Sequence, residues 1–317
     1  MLFKLWSFLR FVALLARQIV IHRPSWILVY DPMALLAYRL VAWINLYGSK
    51  LWYHNHDVFE PSMVRKFSIQ SLAGHAEQGM FAKIDLFTLP ADERKKNFPM
   101  HQLAGIYHLV PNYPARRFYD QFYKPRQLGT RVRLIFQGAI SEGHGFEEII
   151  DLLHCKVSGR SLHLTLIGFV NEKYKDQLLA RAEQAGVADR LDIQPYVSYV
   201  DLPGITKNHD IGLGIYAKSN DFHLSLGKAS NKMYEYAAVG LPILVFDNSH
   251  FRGHLGSHRW VFFTDLSKTS LLKQMEELTQ NYEQRSLDAH QDFIKALNFE
   301  AAFDPIRKHL EQLSGEQ

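Results

Sequence analysis

Short apolar runs alternate with helical patterns along most of this chain of 317 residues. A strand gains a parallel neighbour only through a crossover connection, and the usual crossover is a helix, so the alternation predicts strand–helix units on parallel sheets. The predicted strands are residues 26–30, 50–54, 84–88 and 106–110 in the first part, and 131–137, 162–167, 191–196, 211–216, 242–247 and 260–264 in the second. The fold class predicted from this pattern is α/β.

Helical patterns lie between the predicted strands, near residues 34–47, 146–153, 172–184, 202–207 and 231–239, and three more close the chain near residues 270–281, 287–296 and 303–313. Residues 114–130 are aromatic, basic and interrupted by Pro and Gly without a clear period, so we place a domain boundary in this segment. A ligand site is expected beyond the carboxyl ends of the second set of strands, where Gly138, Gly168 and Val197 emerge.

Residues 230–246 combine the signals of a capped helix with those of a buried strand directly after it. Ser230 can cap the start of the helix, and Gly240 can take the left-handed conformation that closes it. A phosphate placed before Asn231 would meet free backbone N–H groups and the positive end of the helix dipole. Glu235, one turn further along, could accept hydrogen bonds from sugar hydroxyls. This segment therefore predicts a site for a nucleotide diphosphate.

Further short segments match, in the same order, the motifs of a known family: residues 30–32, 53–57, 110–114, 134–138, 143–146, 164–168 and 210–215. Together with residues 230–242 they resemble the retaining glycosyltransferases of family 4, also called glycosyl transferases group 1, which have the GT-B fold. The resemblance covers nearly the whole chain. It implies two Rossmann-like, doubly wound domains: an acceptor-side domain of residues 1–122, a nucleotide-sugar-binding domain of residues 123–295, and a C-terminal helix, residues 296–317, that crosses back.

The resemblance also implies which residues carry the activity. His56 and Asp57 are the catalytic candidates, and Asp31 and Asn112 belong to the acceptor side. The donor is expected to bind at Gly138, Gly143, Gly145, Gly168, Val197, Ser230, Asn231, Lys232 and Glu235. In a retaining mechanism the leaving diphosphate itself helps to accept the acceptor's proton, so the protein mainly positions groups and stabilises charge.

The sequence departs from the family pattern at three places. The first of the two glutamates of the family signature is replaced by Gly227, and the loop after residue 137 carries His144 where a basic residue is usual. Lys228 and Lys232 are therefore expected to neutralise the diphosphate. Family members also carry further strand–helix units before the segment that matches residues 30–32, so the first domain is expected to be incomplete at its N-terminus.

The charge distribution and the cysteine content limit the classes of partner and the compartment that are expected. Residues 1–130 hold 16 Lys and Arg against 8 Asp and Glu, a net charge of +8, whereas the remainder holds 20 against 24, a net charge of −4. The basic part suits an anionic membrane surface or lipid-linked acceptor better than nucleic acid, since no basic and aromatic track is present; a solvated basic face explains it equally well. A single cysteine, Cys155, excludes an intrachain disulfide and fits a reducing cytoplasm. No metal motif or phosphate loop occurs, so no cofactor or metal is expected.

The opening residues 1–23 are apolar and basic. Lys4, Arg10, Arg17 and Arg23 interrupt every apolar run well short of the roughly 18 residues that a membrane span needs, so a span is not expected. Two interpretations of this predicted helix stay open and are compatible: it packs on the first sheet, or it lies on a membrane surface.

The function predicted is transfer of a hexosyl-type sugar from a nucleotide-diphosphate donor to a lipid-linked or cell-surface glycan, in the cytoplasm and peripherally at the inner face of the membrane. The alternative is a truncated or degenerate GT-B relative that binds nucleotide, or a partner, without catalysing transfer. A third possibility is a sugar-nucleotide epimerase of the same fold, which would need more acid and base groups than the sequence offers.

Overall fold

The structure is a computed structural model that describes residues 2–56, 68–217 and 230–315. The chain divides into two compact units: one consists of Met1–Pro111 with Pro305–Gln317, and the other of Asn112–Asp304. Each unit has its own parallel sheet and its own buried core.

The first unit contains a four-stranded parallel sheet. Its elements are α1 (Leu2–His22), β1 (Trp26–Tyr30), α2 (Asp31–Val41), β2 (Lys50–His54), α3 (Ile69–Met80), β3 (Leu86–Leu89) and β4 (Ile106–Leu109). The strands lie side by side in the order β1-β2-β3-β4, which is also their order along the chain. Among the described strands of this unit, the winding of the sheet therefore does not reverse. The register pairs Tyr30 with His54 and His54 with Thr88, which puts the residues after β1 and β2 at one edge.

The second unit is doubly wound. Its elements are α4 (Arg116–Tyr119), β5 (Arg131–Gln137), α5 (Phe146–Ile150), β6 (Lys156–Val157), β7 (Arg160–Ile167), α6 (Glu172–Gln184), β8 (Leu191–Gln194), α7 (Leu202–Thr206), β9 (Ile211–Gly214), α8 (Asn231–Ala238), β10 (Ile243–Phe246), α9 (Ser249–Leu255), β11 (Val261–Thr264), α10 (Lys268–Thr279) and α11 (Tyr282–Lys295). The last helix, α12 (Phe299–Gly315), begins in this unit, and its residues from Pro305 onward belong to the first unit. The strand order is β11-β10-β9-β5-β7-β6, with β8 also paired to β7, so the winding reverses between β5 and β9. Such a reversal opens a crevice at the carboxyl ends of the strands.

The structure corrects one sequence-based boundary and adds one strand. Residues 112–122, assigned to the first domain, belong to the second unit because Tyr119 is buried in the same core as Phe293 and the helix α8. The antiparallel strand β6 was not predicted. Ser158 and Gly159 join it to β7 with φ of 49° and 78°, the conformation of a tight hairpin turn that the Ser-Gly pair could have signalled.

Helix α1 packs one face on the first unit and exposes the other. Val12, Leu15, Ala16 and Ile19 lie at helical spacing and pack against the core of the first unit. Seven large apolar side chains of this helix are exposed, namely Leu5, Trp6, Leu9, Phe11, Leu14, Val20 and Ile21. Among the described residues, the 18-residue stretch Leu5–His22 is long and apolar enough to cross a bilayer, and 6% of it is buried. The charges that interrupt the apolar runs predicted no span, whereas length and composition alone permit one.

Candidate functional site

The carboxyl ends of β5 and β7 approach each other through their backbones. The Gly138 N–H donates to the Ile167 carbonyl at 2.9 Å, and the Ile140 N–H donates to the Phe169 carbonyl at 2.8 Å. A Cβ on Gly168 would lie 1.8 Å from the Gly138 carbonyl oxygen, so no other residue fits there. Gly138 and Gly168 therefore meet at one edge of the sheet, where the sequence placed the donor.

Hydrogen bonds at Gly143 and His144 hold the loop after β5 in place. The Gly143 carbonyl accepts from the Ala217 N–H at 2.9 Å, and Gly145 precedes α5 with a φ of 70°. His144 is buried, and its Nδ1–H donates to the Ile215 carbonyl at 2.7 Å. That bond orients the imidazole toward the backbone of the loop after β9, so His144 helps to shape the loop.

Helix α8 begins at the same edge, but Ser230 does not cap it in the expected way. Ser230 occupies the N-cap position without a side-chain bond to the helix N–H groups, and its hydroxyl lies 3.3 Å from that of Tyr216. Asn231 is exposed. The first turn therefore keeps its N–H groups clear of the Ser230 side chain, which suits an anion.

The ammonium group of Lys232 lies beside Gly138. A Cβ on Gly138 would be 3.1 Å from Lys232 Nζ, and Nζ lies 3.8 Å from the centroid of the Phe136 ring and 5.1 Å from that of Tyr216. The structure thus brings Gly138, Lys232 and the N-terminus of α8 together at the carboxyl edge of the sheet. This arrangement puts a full positive charge next to a helix dipole.

Glu235 is in a different environment from the one expected. Its side chain is 5% exposed, and the Gln137 Nε2–H donates to its Oε2 at 2.5 Å. The Thr206 hydroxyl donates in turn to Gln137 Oε1 at 2.9 Å. Burial raises the pKa of Glu235 to about 7, an effect that the Gln137 amide, Lys232 and Tyr119 offset in part. The carboxylate expected to contact sugar hydroxyls is therefore held inside the second unit.

Sequence reasoning missed the residues that hold α8 in place. The Tyr236 hydroxyl accepts from the Gln137 N–H at 3.1 Å and donates to the Ile135 carbonyl at 3.2 Å, while its ring packs on Gly212. The available signal was Gln137 itself, a polar residue that ends an otherwise apolar run.

Val197 and Asn112 complete the predicted sites in the second unit. Val197 follows β8 and is half-buried against the core that contains α8. Asn112, assigned to the acceptor side, is the first residue of the second unit, because the chain leaves β4 and Tyr113 then packs on Tyr234 at 4.3 Å between ring centroids.

In the first unit, Asp31 and His56 are brought together. Asp31 begins α2 with a φ of 62°, unusual for a non-glycine residue, and its Oδ1 accepts from the His56 backbone N–H at 2.7 Å. Arg94 Nη1 donates to the His56 carbonyl. Backbone strain of this kind concentrates at functional sites. Asp57, Gly227 and Lys228 lie outside the described residues.

A buried polar network that the sequence did not reveal lies beneath this edge. The Tyr53 hydroxyl donates to Glu77, and Asn55 Nδ2 donates to Glu77 Oε1 at 3.2 Å. Burial raises the pKa of Glu77. Burial also lowers the pKa of His54 to about 4, so this imidazole is neutral near pH 7, with Nδ1 2.8 Å from Thr88 Oγ1. Across residues 2–56, 68–217 and 230–315, no group of three or more His, Cys, Asp or Glu side chains could hold a metal ion.

The comparisons define the class of fold. By sequence, no family model and no curated protein matches this chain. By structure, the chain has the α/β fold of the GT-B glycosyltransferases, with two Rossmann-like domains.

Three solved structures illustrate the likeness. HepE from Anabaena, in complex with UDP and glucose, has a TM-score of 0.64 at 15% identity, over 95% of this chain and 81% of HepE. Sucrose-phosphate synthase from Thermosynechococcus elongatus has a TM-score of 0.66 at 10% identity, over 97% of this chain and 78% of the synthase. A putative UDP-N-acetylglucosamine 2-epimerase from Listeria monocytogenes has a TM-score of 0.60 at 14% identity, over 98% of this chain and 80% of the Listeria protein. The fold is therefore shared by proteins with different names, among them a synthase and a putative epimerase.

Proposed function

We propose that this protein is a retaining glycosyltransferase that moves a hexosyl-type sugar from a nucleotide-diphosphate donor to a lipid-linked or cell-surface glycan. The observation that carries the proposal is the meeting of Lys232, Gly138 and the N-terminus of α8 at the carboxyl edge of the doubly wound sheet. A diphosphate carries negative charge, which the ammonium and the helix dipole stabilise, and Gly138 lets its backbone approach closely.

The first unit supplies the acceptor-side groups in this proposal. Asp31 and His56 link the ends of β1 and β2, and the His56 imidazole is available to orient an acceptor hydroxyl or the donor sugar. The leaving diphosphate takes the acceptor's proton, so His56 acts by positioning and by hydrogen bonding. A contribution from Asp57 stays a prediction of the sequence.

The membrane is the proposed location of the acceptor. Helix α1 exposes Trp6, Phe11 and Leu14 together with the basic residues Arg10 and Arg17. Apolar and aromatic side chains mixed with cations favour the surface of an anionic bilayer, where such a helix lies in the interface. A cytoplasmic protein bound peripherally at the inner face of the membrane would meet a lipid-linked acceptor there.

Substitution of Lys232 tests the donor site. We expect Lys232→Met to weaken the binding of uridine, adenosine or guanosine diphosphate, whichever the wild type binds, by about tenfold or more, because a charge-assisted contact is lost. Lys207→Met is the matched control, since Lys207 Nζ also packs on an aromatic ring, that of Phe122 at 5.5 Å. Titration calorimetry that gives one affinity for both variants would contradict the assignment.

Metal independence is a second prediction for this site. With Lys232 and the α8 N-terminus as the source of positive charge, nucleotide affinity should be unchanged by EDTA and by added Mg²⁺ or Mn²⁺. A loss of affinity of more than about tenfold on chelation would show that a cation completes the site.

The burial of Glu235 favours a second candidate, a GT-B relative that binds nucleotide without transferring sugar. A carboxyl that is 5% exposed and already bonded to Gln137 offers little surface to a donor. Nucleotide release from a panel of nucleotide sugars, with native membranes as the acceptor, separates the two. Binding without turnover supports the second candidate; epimerised nucleotide sugar would instead identify an epimerase.

A further inference from the structure

We infer that the turn of residues 42–47, which follows α2, is a second membrane-contact element beside α1, and that Trp43 and Leu46 insert into an anionic bilayer. This inference rests on the membrane association proposed above and adds a site outside residues 1–23. Hereafter, residues 42–47 are called the α2 turn.

The exposure of the α2 turn is the first observation. Leu46 and Trp43 are 82% and 78% exposed, more than any other large hydrophobic side chain in the described part of the chain. Ala42 and Ile44, by contrast, pack toward the core of the first unit. The turn therefore separates its side chains into inward and outward sets, and the outward set is apolar.

Hydrogen bonds hold the α2 turn in this conformation. Asn45 Nδ2 donates to the Ser49 carbonyl at 3.0 Å and to the Tyr38 hydroxyl at 3.2 Å, and the Ser49 N–H donates to Asn45 Oδ1 at 3.1 Å. Trp43 Nε1–H donates to the Leu40 carbonyl at 3.1 Å. A turn that is already ordered in water loses little conformational entropy when it binds.

The α2 turn is adjacent to the end of α1. Helix α1 contacts the 3-10 turn Ala42–Ile44 directly, and the Arg23 guanidinium lies 4.4 Å from the centroid of the Tyr47 ring. Val20 and Ile21, in the last turn of α1, are about half exposed. The exposed apolar surface of α1 therefore continues toward Trp43 and Leu46.

Charge identifies the occupant as an anionic lipid surface. Residues 1–56 contain six Lys and Arg, namely Lys4, Arg10, Arg17, Arg23, Arg39 and Lys50, and a single acidic residue, Asp31. Aromatic side chains next to cations are typical of the headgroup region, where the rings sit at the boundary and the cations meet phosphate. An anionic membrane accommodates both the exposed aromatic side chains and the cations next to them.

Flotation with mixed phosphatidylcholine–phosphatidylglycerol vesicles tests the inference. We expect Leu46→Ala to lower the partition coefficient by about fivefold and the pair Trp43→Ala with Leu46→Ala by more than about tenfold. Leu72→Ala is the matched control, because Leu72 is 61% exposed on α3 in the same unit, and it should change partition by less than about twofold. The Leu46 and Leu72 side chains are exposed, so the thermal unfolding temperature of these two single variants should not change.

A direct readout is possible because the chain has a single cysteine, Cys155, which can be replaced. In a Cys155→Ser background, an environment-sensitive dye on L46C should shift its emission to the blue on vesicles, and the same dye on L72C should not. If wild type floats while L46A and L72A partition equally and the dye at residue 46 does not shift, the inference is wrong and the proposed role of α1 stands. If the wild type does not float, both this inference and the proposed membrane role of α1 are wrong. If the double variant dissociates an oligomer of the lipid-free protein, the turn binds a second copy, which also overturns the inference.

Discussion

The fold changes the acid–base chemistry of Glu235. A glutamate in the middle of a short helix would ordinarily be ionised at pH 7, with an exposed carboxylate. Here burial raises its pKa from 4.5 to about 7, and the Gln137 amide remains its hydrogen-bond donor. Because the folded pKa is above the unfolded one, the native state binds a proton more tightly than the unfolded chain between these pH values.

The sign of the pH dependence follows. The contribution of Glu235 to stability is fully present below about pH 4.5 and is lost as pH rises through about 7. We expect Glu235→Gln, which imitates the protonated acid, to be more stable than wild type by about 1–3 kcal/mol at pH 8 and equal to it near pH 4.5. Urea unfolding at the two pH values measures this.

Glu277→Gln is the control for the Glu235 prediction, because Glu277 is half exposed on α10 beside Lys273. The difference in unfolding free energy between Glu277→Gln and the wild type should be the same at both pH values. If Glu235→Gln behaves in the same way as Glu277→Gln, Glu235 titrates as a solvated residue and the Gln137 bond is not formed in solution.

At the scale of elements, the critical feature is the contact between the loops after β5 and β7. We expect Gly168→Ala to destabilise the protein by more than about 3 kcal/mol, because the new Cβ would overlap the Gly138 carbonyl and the backbone at residue 168 has a φ of 147°. Gly159→Ala, at a φ of 78° but with open space around it, should cost only about 1 kcal/mol. Urea denaturation distinguishes the two. Equal costs would mean that the conformation of a glycine, and not the contact between the loops, limits this edge.

At the scale of the molecule, the boundary of the second unit decides what can fold alone. We expect a fragment of residues 112–304 to unfold cooperatively and to bind the same nucleoside diphosphate as the full chain. A fragment of residues 130–265 should fail to fold, because it lacks Tyr119 and Phe293, which are 1% and 0% exposed in the core that supports α8. Circular dichroism melting and calorimetry test both fragments. Full nucleotide affinity in the shorter fragment would show that the flanking helices are dispensable.

The local pattern of the chain was sufficient to predict several elements. Residues 26–30, 50–54 and 131–137 form strands with the predicted bounds, and residues 172–184 form a helix, because the strands contain short apolar runs and the helix has a helical pattern. Helix ends were less accurate: α11 begins at Tyr282, where a start at residue 287 was predicted, because the burial of Tyr282 in the core extends the helix. The spacing of apolar residues along the chain does not predict a contact of this kind with the core.

The sequence by itself determined that the chain is α/β, that glycines stand at the ends of β5 and β7, and that a helix with Lys232 in its first turn follows β9. These features depend on neighbours along the chain, which the sequence displays directly. Only the tertiary structure decided that Gln137, nearly a hundred residues away along the chain, bonds the Glu235 carboxyl. It also decided that Ile44 faces inward while Trp43 and Leu46 face water. Burial, and with it the pKa of a carboxyl or the exposure of an indole, is set by residues that are distant in sequence, and no local pattern specifies them.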